Sequence, residues 1–516
     1  MTGWLLGIDA GLTNVKAAVY DGDGTERSVA VGSPTDLEPA PDHAERDLEE
    51  LWSVVGSLVA EAVEGAPVQA ADIDGVGVTA HGHGLYALDG AGEPVRNGIK
   101  STDNRATGIR AEWDDRGLLD EVESVAGYRP FAGDPLCLLA WLKREEPDAY
   151  AAIDTVLFCK DYLKYRLTGA VCTDEMEASV FTDHATGEYS EALLDSLGIG
   201  EVADALPPVT PSWEVCGEVT ETAAEETGLA AGTPVASGLH DVGATALGSG
   251  VYRDGQAMLI VGTWGQSIVV RDEPPGAGET EGGITRRYLD GGWLVYRGNR
   301  SAATCVDWFT DRCGAHWRRR AEEEGVSPYE VYERVVESVG PGADGLLFHP
   351  FLHGSTTRPS ARAGFFGLRE SHTAAQMLRA VYEGVAIAQC EGIRAIADPG
   401  TLSAVRLGGG GAKSPVWVQT FADLLEERIE VADGSEAGAR GAAICAAVAT
   451  GVYPSHAEAV DAMVGLARTH DPDPANAETY RGLQTTFRET LDRVEPTWER
   501  LAELRDRTAG EGTDLG

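Results

Sequence analysis

The sequence predicts an α/β protein built from two similar halves, and three observations support that fold class. The chain has 516 residues, which is too long for one ordinary hydrophobic core and suits two large domains. Helical stretches alternate along it with short apolar strands, as they do in layered α/β folds. A strand–turn–strand segment at residues 4–21 is repeated about half a chain later, at residues 257–270. Each half is therefore expected to begin with a β-hairpin.

The clearest elements after the first hairpin are two helices and two strands. Residues 47–64 and 374–396 carry apolar side chains at helical spacing, whereas residues 75–78 and 405–407 are short and apolar, as buried strands are. The stretch from His456 onward is mainly helical and charged.

The boundary between the halves is expected at residues 248–250, after an Ala/Gly-rich helix and before the second hairpin. This boundary divides the chain into an N-terminal domain, 1–248, and a C-terminal domain, 249–516, which ends in the helical tail.

The charge of the chain excludes some partners. Lys and Arg number 41 against 83 Asp and Glu, a formal net charge of −42. Such an acidic surface repels phosphate backbones and anionic lipid, so neither nucleic acid nor a membrane is an expected partner. Only six cations are Lys, and acidic residues run along the whole chain, which is typical of halophilic proteins. An ordinary acidic cytosolic protein is the alternative.

Targeting and metal signals are not apparent in the sequence. No apolar run reaches the ~20 residues of a membrane span, and the N-terminus lacks the pattern of a signal peptide, so a cytoplasmic protein is expected. The eight cysteines form no CxxC pair and are expected to be small buried apolar residues.

The first hairpin carries the pattern Asp9-x-Gly11-x-Thr13-x-x-Lys16. It places a carboxylate at a strand end, followed by a glycine turn, a hydroxyl and a cation. A phosphate-transferring site needs such groups, because a carboxylate holds Mg²⁺ while N–H, hydroxyl and ammonium groups hold phosphate. The alternative is a plain hairpin with a surface lysine.

A run of four glycines, Gly408–Gly411, follows a strand and leads through Lys413 to a helix predicted to end at Leu425. Ser414 suits the N-cap and Pro415 the first helical position. Glycines beside a helix N-terminus favour a nucleotide site. The segment is neither a P-loop nor a dinucleotide fingerprint, and a flexible glycine loop is the alternative.

Two further segments carry candidate polar groups. Asp241 lies between an apolar strand and the Ala/Gly-rich helix, where it is either a helix N-cap or a catalytic carboxylate at the junction of the halves. His81 and His83 follow the strand at 75–78, where they would be metal ligands or, since no third ligand is apparent, groups that recognise hydroxyls in a small-molecule site. Asp103 lies on the next loop.

These segments, in this order, resemble the FGGY carbohydrate kinases of the actin/Hsp70-like superfamily from residue 4 to about residue 450. Residues 363–383 are similar throughout to the family's second signature. Residues 133–145 are similar to the first, except that Leu138 replaces the usual Lys.

The resemblance implies two actin-like (ribonuclease H-like) domains with the active site in the cleft between them, and ATP and Mg²⁺ as cofactors. The N-terminal domain would bind sugar and the C-terminal domain the nucleotide. Asp241 matches the family's general base, Asp9 would orient Mg²⁺, and Gly82 and His83 match a sugar-contacting loop. Asp103 would lie on the adjacent sugar-facing loop. The implied phosphate and nucleotide contacts are Gly11, Thr13, Asn14, Lys16, Gly262, Thr263, Gly410, Gly411 and Lys413.

The expected activity is transfer of phosphate from ATP to a primary hydroxyl of a ketopentose of the xylulose type. Xylulokinases carry Met where this chain has Gly82, which predicts a roomier pocket. Several stretches look most similar to L-xylulose (3-keto-L-gulonate) kinases. Those kinases carry Lys at the position of His83, and its replacement here argues against an acidic substrate.

One alternative is a polyol kinase of the erythritol or glycerol type, although Ser101 argues against glycerol as the substrate. The other alternative is an actin/Hsp70-like ATPase switch without a sugar substrate. The expected partners are a small-molecule sugar and, in a homodimer, a second copy of the chain.

Overall fold

The computed structural model describes residues 3–276, 279–280, 282–355 and 357–511. The chain forms two compact units. Unit 1 takes its described residues from Met1–Tyr252, Ile284–Leu294 and Asp433–Gly465, and unit 2 from Arg253–Gly283, Val295–Ala432 and Leu466–Gly516.

Strands and helices alternate through both units. The strands are β1 Trp4–Ala10, β2 Val15–Asp21, β3 Glu26–Gly32, β4 Glu45–Arg46, β5 Gly75–Ala80, β6 Tyr86–Leu88, β7 Gly98–Ile99, β8 Thr155–Leu157, β9 Val215–Glu218, β10 Pro234–Ala236, β11 Gln256–Val261, β12 Gly265–Arg271, β13 Ile284–Arg287, β14 Trp293–Asn299, β15 Leu347–His349, β16 Gly364–Phe366, β17 Ala404–Gly408, β18 Ile429–Ala432 and β19 Leu466–His470. The helices are α1 Leu48–Gly65, α2 Thr107–Asp115, α3 Leu118–Ala126, α4 Pro135–Glu145, α5 Pro147–Ala151, α6 Cys159–Thr168, α7 Glu175–Ala178, α8 Glu191–Ser196, α9 Glu221–Thr227, α10 Asp241–Gly248, α11 Ala303–Cys313, α12 Ala315–Glu324, α13 Pro328–Glu337, α14 Ala374–Ile396, α15 Pro415–Leu425, α16 Ala437–Ala449, α17 His456–Met463 and α18 Ala477–Glu511.

The main sheet of unit 1 has the strand order β3-β2-β1-β5-β10-β9. β1 and β2 form the predicted hairpin, in which Ala10 pairs with Val15. β5 and β10 run parallel to β1, so the carboxyl ends of these three strands lie at one edge of the sheet. Ligands of open α/β sheets bind at that edge. Asp9, His83 and His240 all lie there, at or just after the strand ends.

One helix lies unusually close to this sheet because glycines face it. A methyl group on Gly7 of β1 would overlap the backbone of Ala439, and one on Gly77 of β5 would overlap Ala442. Both contacts belong to α16, which therefore packs backbone against backbone over the strands that lead to the site. Glycine at positions 7 and 77 thus fixes the distance between the helix and the sheet.

Helix α1 shows how local sequence sets an element of unit 1. Asp47 caps it by accepting a hydrogen bond from the Glu50 N–H at 2.9 Å. Its apolar face, which includes Leu51, Val55 and Val59, is buried against the sheet. The helix predicted for residues 47–64 is confirmed. A second core of unit 1 is formed by α2–α4, α8 and the strands β7 and β8.

The sheet of unit 2 has the order β14-β12-β11-β17-β18-β19. Its central hairpin pairs Val261 with Gly265, and β17 runs parallel to β11, so the glycine-rich turn after β17 lies beside the hairpin turn. The predicted helices at 374–396 and 415–425 are confirmed as α14 and α15. Among the described residues, no helix combines the length and apolar character that a membrane crossing demands.

The α/β class with a hairpin at the start of each half is confirmed. The predicted boundary at residues 248–250 lies close to Tyr252, where the longest segment of unit 1 ends. Residues 433–465 also belong to unit 1. The division of roles between 1–248 and 249–516 stays a prediction.

Candidate active site

The first hairpin turn of unit 1 is supported from within the protein. The Gly11 N–H donates to the carbonyl of Asn14 at 2.9 Å, which closes the turn. The fully buried guanidinium of Arg46 donates to the carbonyl of Leu12 at 2.7 Å and also pairs with Asp36. The side chain of Asn14 is exposed, as is that of Thr13 beside it. The turn thus presents polar groups to solvent from a rigid base.

Asp9 lies just before this turn and is the half-buried carboxylate of the hairpin. Burial raises the pKa of Asp9 to about 6, against the lowering effect of Lys16. Among the described residues, none donates a hydrogen bond to Asp9. A methyl group on Gly438, at the start of α16, would overlap its carboxylate. Lys16 forms an ion pair with Glu436 at 2.5 Å. Asp9 therefore lies in a narrow, desolvated place that suits a cation.

The second carboxylate, Asp241, is the first residue of α10, and the N-cap is its neighbour. His240 caps the helix, since its Nδ1 accepts a hydrogen bond from the Val242 N–H at 3.1 Å. The N-cap alternative for Asp241 is therefore wrong. About a third of its side chain is exposed, yet burial of the carboxyl, aided by the nearby Asp9, raises the pKa of Asp241 to about 7. A carboxyl that exchanges its proton near neutral pH suits general base chemistry.

His83 is held in a neutral form of defined orientation. Its Nδ1 lies 3.0 Å from Oδ2 of Asp134, which also accepts a hydrogen bond from the Tyr128 hydroxyl at 2.8 Å. Because a carboxylate only accepts, Nδ1 carries the proton and Nε2 is an acceptor. Burial lowers the pKa of His83 despite Asp134, so the ring is neutral at pH 7. The backbone of His83 has φ of 58°, a conformation that is costly for this residue and clusters at functional sites.

The space beside His83 differs from the expectation. A methyl group on Gly82 would overlap the imidazole ring of His240. The room left by the absent side chain is filled by that ring, so the prediction of a roomier pocket on this side is wrong. His81 is buried, and its Nε2 lies 2.9 Å from the Tyr86 hydroxyl.

The carboxylate of Asp103 is fully engaged by the protein. Oδ2 accepts hydrogen bonds from the Ala44 N–H at 2.6 Å and from Arg105 Nη2 at 2.9 Å. Oδ1 accepts from the N–H and the Nε of Arg105. With 1% of its surface exposed, Asp103 ties two loops together, a geometry that favours a positioning role over direct contact with a sugar.

The remaining predicted residues lie in unit 2. Thr263 is exposed at the turn between β11 and β12, next to Gly262. Gly410 and Gly411 begin a short helical turn that ends at the exposed Lys413. Gly409 before them has φ of 79°, and a methyl group on Gly411 would overlap Val261, so both positions require glycine.

The N-terminus of α15 is already occupied by side chains. Ser414 caps it as predicted, accepting from the Trp417 N–H at 3.1 Å. The carboxylate of Glu333 accepts from the Val416 N–H at 2.7 Å and binds the Ser414 hydroxyl. A phosphate would therefore meet the glycine turn itself rather than the N–H groups of the helix.

Several supporting residues were not found from the sequence: Arg46, Asp134, Glu333 and Glu436. Each comes from a distant part of the chain, so no local spacing marks it. Asp134 alone had a signal, because it lies in the segment similar to the first family signature.

A buried ion network, in which Lys160 pairs with Asp161 at 3.0 Å and donates to the Ser237 carbonyl, also holds the segment before Asp241.

Comparisons with known proteins agree with this geometry. The profile described as "FGGY family of carbohydrate kinases, N-terminal domain" matches residues 4–248, and that of the C-terminal domain matches residues 257–450. L-xylulose/3-keto-L-gulonate kinase of Escherichia coli (strain K12) is 34% identical over 511 residues, covering 98% of this chain and 99% of the relative. A probable L-xylulose kinase of Pasteurella multocida is 31% identical, over 94% of this chain and 98% of its own.

Solved structures show the same fold. The xylulose kinase of Rhodospirillum rubrum has a TM-score of 0.86 at 28% identity and covers 96% of this chain and 100% of its own. The gluconate kinase of Lactobacillus acidophilus, at 20% identity, reaches the same TM-score and shares the fold.

Fold and relatives together define the class as sugar-phosphorylating enzymes with an actin-like two-domain fold. Within that class, the chain belongs to the FGGY family of carbohydrate kinases. The family resemblance read from residues 4–450 is confirmed, as are the fold class and the prediction of a phosphotransferase acting on a sugar.

Proposed function

We propose that this protein transfers the γ-phosphoryl group of ATP to a primary hydroxyl of a ketopentose of the L-xylulose type. The names of the relatives support the substrate class. The observation that carries the chemistry is the state of Asp241, a partly exposed carboxyl with a pKa of about 7 at the start of α10.

Asp241 is the general base in this proposal. A carboxylate with a pKa near the working pH both exists in its basic form and holds the proton it takes. As the sugar hydroxyl attacks phosphorus, Asp241 accepts the hydroxyl proton on its carboxylate. Burial lowers the pKa of His240, so its ring is neutral, and its Nδ1 lies 3.0 Å from Oδ1 of Asp241.

Asp9 would hold Mg²⁺, directly or through water. The desolvated carboxyl lacks a hydrogen-bond donor among the described residues, so a cation with its water ligands fits it. When bound, Mg²⁺ neutralises charge on the transferring phosphate. Lys16 adds positive charge at the same place, and its partner Glu436 keeps the ammonium group oriented.

The nucleotide would bind to the residues predicted from the sequence. Gly11, Thr13 and Asn14 form a turn with polar groups toward solvent, which suits terminal phosphates. Gly262 and Thr263 would form the second phosphate turn. Gly410, Gly411 and Lys413 would lie against the α-phosphate and adenosine. Glycine at these positions lets backbone approach a ligand closely.

The sugar would be oriented by His83. Its Nε2 accepts a hydrogen bond from a sugar hydroxyl because Asp134 fixes the proton on Nδ1. Gly82 permits His240 to pack beside it, and Asp103 positions the adjacent loop through Arg105 and Ala44. The contribution of Gly82 and Asp103 to sugar binding is thus indirect.

The cellular setting is also a proposal. A charge of −42 together with only six lysines supports a protein that works in a cytoplasm of high salt. Three of those lysines, Lys100, Lys160 and Lys164, are buried, which leaves even fewer ammonium groups at the surface. A homodimer remains the proposed assembly.

A substrate panel tests the proposal. ADP release is measured in high KCl with ketopentoses, ketohexonates, erythritol and glycerol. We expect L-xylulose to give a kcat/KM at least tenfold above that of the polyols. A preference for erythritol or glycerol would establish a polyol kinase. ATP turnover that no sugar or polyol stimulates would establish an ATPase switch.

A further inference from the structure

Beside the proposed sugar site lies a buried guanidinium group to which no described anion is hydrogen-bonded. Arg286 lies on β13 in the segment that belongs to unit 1, and only 2% of its surface is exposed. Within the part of the chain that the structure describes, neither Nη1 nor Nη2 has a hydrogen-bond partner. The guanidinium carbon lies 4.0 Å from the centre of the Tyr128 ring, whose hydroxyl binds Asp134, the partner of His83. Arg286 is therefore adjacent to the group that holds His83.

Asp134 supplies a negative charge near Arg286, since both groups act on Tyr128 and His83. Among the described residues, none forms an ion pair with it. Its neighbours include His83 and His240, which burial keeps neutral and whose pKa values the charge of Arg286 lowers further. The carboxylate of Asp134 is already bound to Tyr128, His83 and the Leu136 N–H.

Guanidinium N–H groups that are buried without acceptors destabilise a fold. A ligand that provides the missing acceptors accounts for such a group. The guanidinium group cannot lose its charge at physiological pH and presents N–H donors in a planar fork that matches a carboxylate. An anionic ligand at the sugar site would accept hydrogen bonds from the Nη groups of Arg286 and would match the charge and the planar fork of its guanidinium.

The next residue on β13, Arg287, differs from Arg286 in its hydrogen bonding. Arg287 faces the other side of β13, stacks on the Trp293 ring at 4.8 Å and donates from Nη2 to the carbonyl of His184 at 3.2 Å. It thus has a hydrogen-bond acceptor where Arg286 has none, and it provides a matched control one residue away.

We propose that Arg286 recognises a carboxylate on the sugar, so that the acceptor site takes a sugar acid in preference to a neutral ketose. The inference rests on the proposed function and changes its preferred acceptor from L-xylulose to the corresponding sugar acid. The presence of His83 in place of Lys argued against an acidic substrate, and the proposal reverses that expectation. The positive charge that an acid requires comes from Arg286 on β13 and not from the loop that carries His83. Because both Nη atoms are shielded, the acid must displace side chains that cover them when it binds.

Two probes that differ by one carboxylate test the proposal. 3-keto-L-gulonate is L-xylulose with a carboxylate attached to its terminal carbon. The kcat/KM of each is measured for the wild type, Arg286→Met and the control Arg287→Met. We expect the wild type to prefer 3-keto-L-gulonate by about tenfold or more. Arg286→Met should lower kcat/KM for the acid by about 30- to 100-fold, the scale of a lost charge-assisted pair, and for L-xylulose by less than about threefold.

Further results separate the possible failures. Equal losses for both sugars in Arg286→Met, or a wild type that phosphorylates L-xylulose but not the acid, would overturn the carboxylate site and leave the proposed function intact. If the wild type phosphorylates neither sugar, the proposed function fails. Melting temperatures measured with added 3-keto-L-gulonate then test whether Arg286 binds the carboxylate. The proposal is supported if the sugar acid raises the melting temperature of the wild type and of Arg287→Met but not that of Arg286→Met. It is overturned if the acid does not raise the melting temperature of the wild type.

Folding of the variant is not expected to limit the test. Replacing an unpaired buried charge by an apolar side chain of similar length is neutral or stabilising. If Arg286→Met does not fold, Arg286→Lys keeps the charge but loses the fork. A selective loss for the acid in Arg286→Lys supports the proposal, and unchanged kinetics for both sugars overturn it.

Discussion

Replacing Asp241 by Asn should separate catalysis from stability. Asn keeps the size of the side chain and its hydrogen bonding but cannot accept a proton. Loss of a general base lowers kcat by about 10²- to 10⁴-fold. The KM for ATP should change little, because the substitution leaves the first hairpin and the glycine-rich turn untouched.

The same substitution should stabilise the fold above neutral pH. Burial raises the pKa of Asp241 from 3.8 to about 7, so the folded state loses stability as the carboxyl deprotonates while pH rises through this range. Three pKa units correspond to about 4 kcal/mol at 1.36 kcal/mol per unit. Because a third of the side chain is exposed, solvent screening reduces the expected gain to about 1–2 kcal/mol.

The assay combines sugar-dependent ADP release at pH 8 with melting temperatures at pH 4.5 and pH 8, all in high KCl. The Asn variant should melt a few degrees above the wild type at pH 8 and nearly with it at pH 4.5. Asp461→Asn, a change at an exposed position of α17, is the control and should alter neither quantity. Retention of more than about a tenth of kcat would show that Asp241 is not the general base. A variant less stable than the wild type at pH 8 would show that the carboxylate of Asp241 does not destabilise the fold.

Three further predictions concern pH, salt and the sugar. Below pH 7, kcat/KM should fall about tenfold per pH unit as Asp241 is protonated, and a flat profile from pH 5 to 8 would contradict the assigned base. The melting temperature should rise between 0.01 M and 1 M KCl, because the Debye length shrinks from ~30 Å to ~3 Å; a constant or falling value would remove the halophilic interpretation. His83→Ala should raise the KM for sugar about 10- to 100-fold while leaving the KM for ATP unchanged. His83→Asn, which tolerates a positive φ, checks that the loop is intact, and an unchanged sugar KM in both variants would move the sugar away from this loop.

Much of the fold follows from local sequence. Asp47 before α1, and Ser414 and Pro415 at α15, mark helix starts through capping chemistry that acts within one turn. The glycines and hydroxyl residues between apolar runs mark both hairpins. These signals are short-range, so a single sequence contains them.

The parts that sequence did not predict depend on long-range packing. Nothing near Gly82 in the chain indicates that His240 fills the space beside it. Asp241 has the residue type of an N-cap, but the imidazole of His240 takes that position. The missing partners of Arg286 are visible only when the burial of a whole neighbourhood is known.

The central claim is that sugar phosphorylation depends on the carboxylate of Asp241. ATP turnover by the wild type, with and without L-xylulose and with sugar phosphate measured alongside ADP, tests it most directly. We expect L-xylulose to raise turnover by about 100-fold or more, one sugar phosphate to form for each ADP, and Asp241→Asn to remove this stimulation. Turnover that is the same with and without a sugar, or a stimulation that survives in Asp241→Asn, would contradict it.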